Sequence, residues 1–287
     1  MTLRPRPNWG PTPYIGVTGF KTVEEVQQFS DICFKAGLFG DAYNHTVWYG
    51  IPHVPMFGFL CSNKRLADPL VGGTQSPSVQ DLMTLTRITP IGAIPMIHYH
   101  SPEKEKLADD VRKLFDGPYE LYRSCQALQI NVDWPHADQI KRIRDSFSDM
   151  QIVLQLPKRA MEGLNPSDIA GRVKEYQGLV QYVLVDPSGG EGKEFDIDSC
   201  RSILETLGHE TKGITMGIAG GLDGKNVRDR VIAIAATLTH SGFCIDAQGK
   251  LRTPDKQSLD MKLIGDYVGY ARIAFEQADH DTFYSDR

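Results

Sequence analysis

Apolar residues fall into eight short, unalternated runs, each closed by turn-forming residues. They are YIGVTG (14–19), MFGFLC (56–61), IGAIPMIH (91–98), ALQINV (127–132), QIVLQL (151–156), YVLVD (182–186), ITMGIAG (214–220) and GFCID (242–246). Runs this short, rich in β-branched and aromatic residues, predict strands. Between them the apolar spacing changes to three and four. Val26, Phe29, Cys33 and Ala36 share a helical face, after a T-x-x-E capping box at Thr22 and Glu25 and before a stop at Gly37. Ile140, Ile143 and Phe147 form a second face, and Cys200, Ile203, Leu204 and Leu207 a third that ends at Gly208. Leu259, Leu263, Tyr267, Tyr270 and Ala274 mark the last helix.

Strands apolar on both faces and separated by amphipathic helices indicate a parallel sheet covered by helices. Eight such units within 287 residues predict an α/β fold, a closed (β/α)8 TIM barrel. An open doubly wound sheet is the alternative. No repeat, low-complexity tract or linker divides the chain. Residues 1–287 are therefore read as a single domain, with residues 1–13 as an irregular lead-in.

Composition narrows the partners. A net charge of -5 without a basic run gives no footprint for nucleic acid. No apolar run approaches the roughly 18 residues that span a bilayer, so no membrane partner is expected. The polar, proline-rich start is not a secretory signal. Cys33, Cys61, Cys125, Cys200 and Cys244 are odd in number, scattered and never in a CxxC pair, and read as reduced thiols. Together these predict a cytoplasmic protein. The segment GLFGDAYNHTVWYGIPHVP (37–55), with His45, Trp48 and His53, would join the first helix to the second strand. That places it on the stability face of a barrel, so packing or a homo-oligomer contact is expected there rather than chemistry.

In a parallel barrel, ligands sit at the C-terminal ends of the strands. VDPSGGEGKEFD (185–196) carries Asp186 at the end of the sixth run and Gly189, Gly190 and Gly192 just after it. Glycines let successive N–H groups converge on one anion. An isolated glycine-rich turn would need no ligand. Here, however, GIAGGLDGKNV (217–227) places Gly220 and Gly221 after the seventh run, and CIDAQGKLRTPDKQS (244–258) follows the eighth. Loops after strands seven and eight recurrently hold phosphate in such barrels.

LVDPSGGEGKEFD, IAGGLDGKNV and CIDAQGKLRTPDKQSLDMKLIGDYV, covering about the last third of the chain, resemble consecutive motifs of phosphoribosylanthranilate isomerase, a ribulose-phosphate-binding barrel. GFLCSNKR (58–65) and GVTGFKTVEEV (16–26) are more weakly similar to its second- and first-strand regions. The resemblance implies a phosphorylated small-molecule substrate gripped by the backbone of Gly190, Gly192, Gly220 and Gly221, with Gly189 and Asp246 in the same binding motifs. It implies that Asp186 is the general acid of an Amadori-type rearrangement, and that Arg65 faces the substrate carboxylate. One departure stands out. Where the family carries a cysteine base in K-I-C-G-[IL]-T, this chain reads PYIGVT, with Ile15 at the thiol position. A general base contributes about 10² to 10⁴ in rate, so its loss motivates a second reading, a barrel that binds a phosphometabolite without turning it over.

Other residues could replace the base. His98 and His100 lie two apart, on one face of a strand, and Asp133 ends the fourth run. These two histidines with Asp133 and Asp186 also permit a metal-dependent epimerase or lyase. That reading ranks below a site without metal or other cofactor. Lys158, beside Arg159, reads as a solvated or anion-steering lysine rather than a Schiff-base nucleophile.

Overall fold

A computed structural model describes residues 11–39, 53–188, 197–240 and 242–285. Its eight strands are β1 (Tyr14–Thr18), β2 (Val54–Ser62), β3 (Ile94–His100), β4 (Ala127–Ile130), β5 (Gln151–Pro157), β6 (Tyr182–Asp186), β7 (Thr215–Ala219) and β8 (Cys244–Ala247). Each pairs in parallel with the next, and β8 pairs with β1, closing the barrel. The open-sheet alternative is thereby set aside. All eight predicted runs are strands, although β3 starts at Ile94 and extends to His100, so both histidines lie within it.

Strand parity divides the apolar residues into two cores. Tyr14, Met56, Met96, Val153, Tyr182 and Leu184 fill the floor of the barrel interior. Ile15, Val17, Phe57, Ile97, Leu128 and Ile218 point outward and pack beneath the helices. Both faces of each strand are buried, which is why the runs lack polar alternation.

The helix Val23–Lys35 begins with the predicted capping box. Thr22 Oγ1 accepts the Glu25 N–H at 3.2 Å, and Glu25 Oε2 accepts the Thr22 N–H at 3.3 Å. Such a cap contributes about 1 kcal/mol. Glu25 Oε1 also accepts the Leu259 N–H at 3.2 Å, tying the turn after β1 to the loop after β8. Gly37 stops this helix in the left-handed region, at φ +69°. Gly208 does not act as a stop, because the helix Ile197–Glu210 runs through it. A mid-helix glycine costs only about 1 kcal/mol, which packing of Cys200, Leu204 and Leu207 outweighs.

His53 precedes β2 on the floor side of the barrel. Its ring stacks on Phe275 with centroids 3.7 Å apart and contacts the Phe243 carbonyl at 3.0 Å, a packing role. His45 and Trp48 lie outside the described residues. Among the described residues no helix is long and apolar enough to cross a membrane.

Candidate active site

Toward the C-terminal ends of the strands the inward-facing positions turn polar. Following the parity set by the floor residues, they are Thr18 on β1, His98 on β3, Gln129 on β4, Gln155 on β5, Asp186 on β6 and Asp246 on β8, all buried. Thr18 Oγ1 donates to Asp246, at 2.9 Å from Oδ1 and 3.1 Å from Oδ2. The same hydroxyl lies 3.4 Å from His98 Nε2, a long contact. Gly58 makes room for it: a Cβ there would stand 2.9 Å from His98 Nε2 and would overlap Thr18 Oγ1.

Burial pushes the Asp246 carboxyl up to about 7, and the charge of Asp186 adds to the rise, against the Thr18 hydrogen bond that favours the carboxylate. Burial lowers His98 to about 3, so its imidazole is neutral at neutral pH. Of these two groups, only Asp246 changes protonation near neutrality. The sequence motifs placed Asp246 among the substrate-binding residues; its position in the barrel mouth suits proton transfer.

Asp186 is held from two sides. Its Oδ1 accepts the Ser188 N–H at 3.2 Å and the Ser188 hydroxyl at 2.8 Å. Its Oδ2 accepts Gln155 Nε2 at 2.9 Å, and Gln155 Oε1 in turn accepts Gln129 Nε2 at 2.8 Å. Gly220 abuts this carboxylate. It has φ +85°, and a Cβ would overlap Asp186 Oδ1 and Ser188 Oγ.

Gly221 follows with φ +65°, reversing the chain after β7. Asn226 Nδ2 donates to the Gly221 carbonyl at 2.8 Å, and Asp223 Oδ1 accepts the Lys225 and Asn226 N–H groups, bracing the turn into the helix Val227–Leu238. Lys250, after β8, lies 3.5 Å from Asp223 and partly offsets its charge. Gly189, Gly190 and Gly192 lie outside the described residues.

Several predicted residues do not join this cluster. His100 is exposed, with Nδ1 2.9 Å from the Asn131 carbonyl. Asp133 is drawn aside by Arg159, 2.7 Å away. Arg65 places Nη1 3.1 Å from the carbonyls of both Val71 and Gly72, so it braces the loop after β2. Lys158 is exposed. Among the described residues no group of three or more His, Cys, Asp or Glu is gathered so as to hold a metal ion.

Ile15 faces away from the site altogether. On β1 the inward positions are Tyr14, Gly16 and Thr18, whereas Ile15 packs in the outer core with 1% of its surface exposed. A thiol at position 15 would therefore sit under the helices. Ile15→Cys is expected to destabilise the fold by about 1–2 kcal/mol through lost apolar contact. Denaturant melts of the variant check the outcome.

Thr18, Gln129, Gln155 and Ser188 were not singled out from the sequence. Counting in twos from the last residue of each run, the rule that Asp186 and Asp246 obey, passes over the first three, because those runs end one residue out of step with the inward face. Ser188 carried no signal beyond its nearness to Asp186.

No family model matches the chain, and no curated protein matches it. Solved structures do share its fold. Phosphoribosyl anthranilate isomerase from Thermus thermophilus superposes with a TM-score of 0.57 at 12% identity, over 91% of this chain and 98% of that one. The isomerase of the same name from Thermotoga maritima gives 0.58 at 15% identity, over 91% and 99%. Tryptophan synthase subunit alpha from Legionella pneumophila str. Paris gives 0.57 at 9% identity, over 93% of both chains. At these identities the likeness is one of fold.

Proposed function

We propose that this barrel is an acid–base enzyme acting on a phosphorylated sugar or a similar small metabolite, by an intramolecular isomerisation of the phosphoribosylanthranilate isomerase type. The observation that carries the reading is a pair of buried carboxylates, Asp186 and Asp246, at the C-terminal mouth of a barrel with this fold. The turn at Gly220 and Gly221 supplies a backbone cradle suited to the substrate phosphate.

Asp186 acts as the general acid. Its proton goes to the ring oxygen of the aminoaldose as the C1–O bond breaks, and the Ser188 hydroxyl can rotate to remain its partner. Asp246 acts as the general base, taking the proton from C2 to give an enolamine, which gains a proton at C1 and loses that of its C2 hydroxyl to become the aminoketose. Thr18 holds the Asp246 carboxylate through both oxygens. A base poised near neutrality combines availability with driving force. This assignment puts a carboxylate where the family uses a cysteine; a barrel that binds a phosphometabolite without turning it over is the alternative, and turnover in the wild type separates the two.

The pH–rate profile tests the proposal. Asp246 must be ionised to accept a proton, so kcat/KM is expected to have a limb that rises with pH and is half-complete near 7. A profile flat between pH 5.5 and 8.5 would remove Asp246 from the role. Stability should move the opposite way. The folded protein holds this proton more tightly than the unfolded chain does, so the contribution is full below the ordinary carboxylate range and is lost as pH rises through about 7. Melting temperatures followed from pH 4.5 to 8 should show this decline in the wild type, flattened in Asp246→Asn.

A further inference from the structure

The hydrogen-bonded row that ends on Asp186 has a forced direction. Whether ionised or carrying on Oδ1, beside Ser188, the proton of the proposed acid, Asp186 presents Oδ2 as an acceptor, so Gln155 must turn Nε2 toward it, 2.9 Å away. That leaves Gln155 Oε1 facing Gln129, which must donate its own Nε2 across 2.8 Å. The Asp186 carboxyl on β6 thus orients two amides in succession and leaves Gln129 Oε1, on β4, as the terminal acceptor. Gln129 is 2% exposed, and its Oε1 is buried without a hydrogen-bond partner. An unsatisfied buried acceptor costs about 1–3 kcal/mol, and native chains keep few of them.

The neighbours of this oxygen indicate what would satisfy it. Gln129 is the register partner of His98 on β3, and both side chains point into the barrel. His98 is a neutral imidazole, with one N–H and one lone pair. The Thr18 hydroxyl beside it gives its proton to Asp246. Across the mouth, therefore, an acceptor on Gln129 stands next to an imidazole that can both donate and accept, between the two carboxylates of the proposed reaction.

We infer that Gln129 is a specificity-determining residue whose Oε1 accepts a hydrogen bond from a hydroxyl on the sugar chain of the substrate, with His98 as the neighbouring polar contact. The inference rests on the reading of the ligand as a phosphorylated sugar and adds the residue that recognises its polyol part. Gln155 is then a positioning residue, which keeps the Gln129 amide turned the right way as long as Asp186 Oδ2 is an acceptor.

Direct binding tests it without turnover. Calorimetric titration of the wild type with D-ribose 5-phosphate and with n-pentyl phosphate, which carries the same phosphate and no hydroxyls, is expected to favour the sugar by about tenfold or more. Gln129→Met, close in shape but unable to accept this bond, should cut the preference to about twofold while the affinity for n-pentyl phosphate stays within threefold. Gln129→Asn, which withdraws the amide by one methylene, should do the same and serves if the Met variant folds poorly. A preference that survives in either folded variant overturns the role of Gln129 and leaves the phosphate site standing. If the wild type binds neither phosphate ester, the reading beneath the inference fails, and the inference fails with it.

Discussion

Replacing Asp186 with asparagine is expected to lower turnover by about 10² to 10⁴, while the dissociation constant for n-pentyl phosphate, which does not use the Gln129 acceptor, changes less than about threefold. The substitution keeps the shape of the side chain and removes the transferable proton. Ser188 can still donate to Oδ1, as it does across 2.8 Å in the wild type. Gln155 can still bond to the other end of the amide by turning over, and Gln129 must then follow. Melting temperature should therefore move little. Steady-state kinetics with phosphoribosylanthranilate, the substrate of the proposed isomerisation, measure the rate, and calorimetry measures the affinity. Asp246→Asn should cause a loss of similar size. The double variant should lose little more than either single one, because ring opening by Asp186 and proton removal by Asp246 are successive steps of one reaction and the two residues act as a unit. Full turnover in Asp186→Asn would end the proposed mechanism.

The largest effect on the structure is expected from Gly220→Val. Two costs add at this position. A β-branched residue at φ +85° carries strain of about 1–3 kcal/mol, and its Cβ would overlap Ser188 Oγ and Asp186 Oδ1, with Ser188 Cβ 2.8 Å away. Overpacking of that kind adds about 1–3 kcal/mol. The melting temperature should fall by on the order of 10 °C. Affinity for inorganic phosphate should fall with it, because the same backbone forms the proposed cradle. Gly163→Val is the control: φ is +74° there, with nothing within 4 Å of the added Cβ, so the strain comes without the clash. If both variants melt alike, the close approach of Gly220 to Asp186 is not what constrains that position.

Much of the architecture was legible because a parallel barrel writes itself locally. Each strand is short, apolar on both faces and closed by turn residues, and the T-x-x-E box at Thr22 and Glu25 announces a helix by its own side chains. Asp186 was legible for the same reason, as the only polar residue ending an apolar run beside a glycine-rich turn. Gln129 and Gln155 were hidden inside their runs, where a single amide reads as an interruption rather than a site. His98 and His100 looked equivalent from spacing alone. Strand β3 carries the first into the interior and ends at the second, so one is buried and the other meets solvent.

By itself the sequence determined the alternation of strands and helices, the loops that face the mouth, and both Asp186 and Asp246 as candidate residues, since each depends on residues close together in the chain. Tertiary structure alone decided the rest. Ile15 stands one position from the inward-facing Gly16, and because side chains alternate along a strand that single step turns it from the site into the outer core. Asp246 meets Thr18 across 228 positions of sequence only because β8 closes on β1. Its proton affinity near neutrality comes from burial and from the charge of Asp186, and neither exists until the barrel has formed.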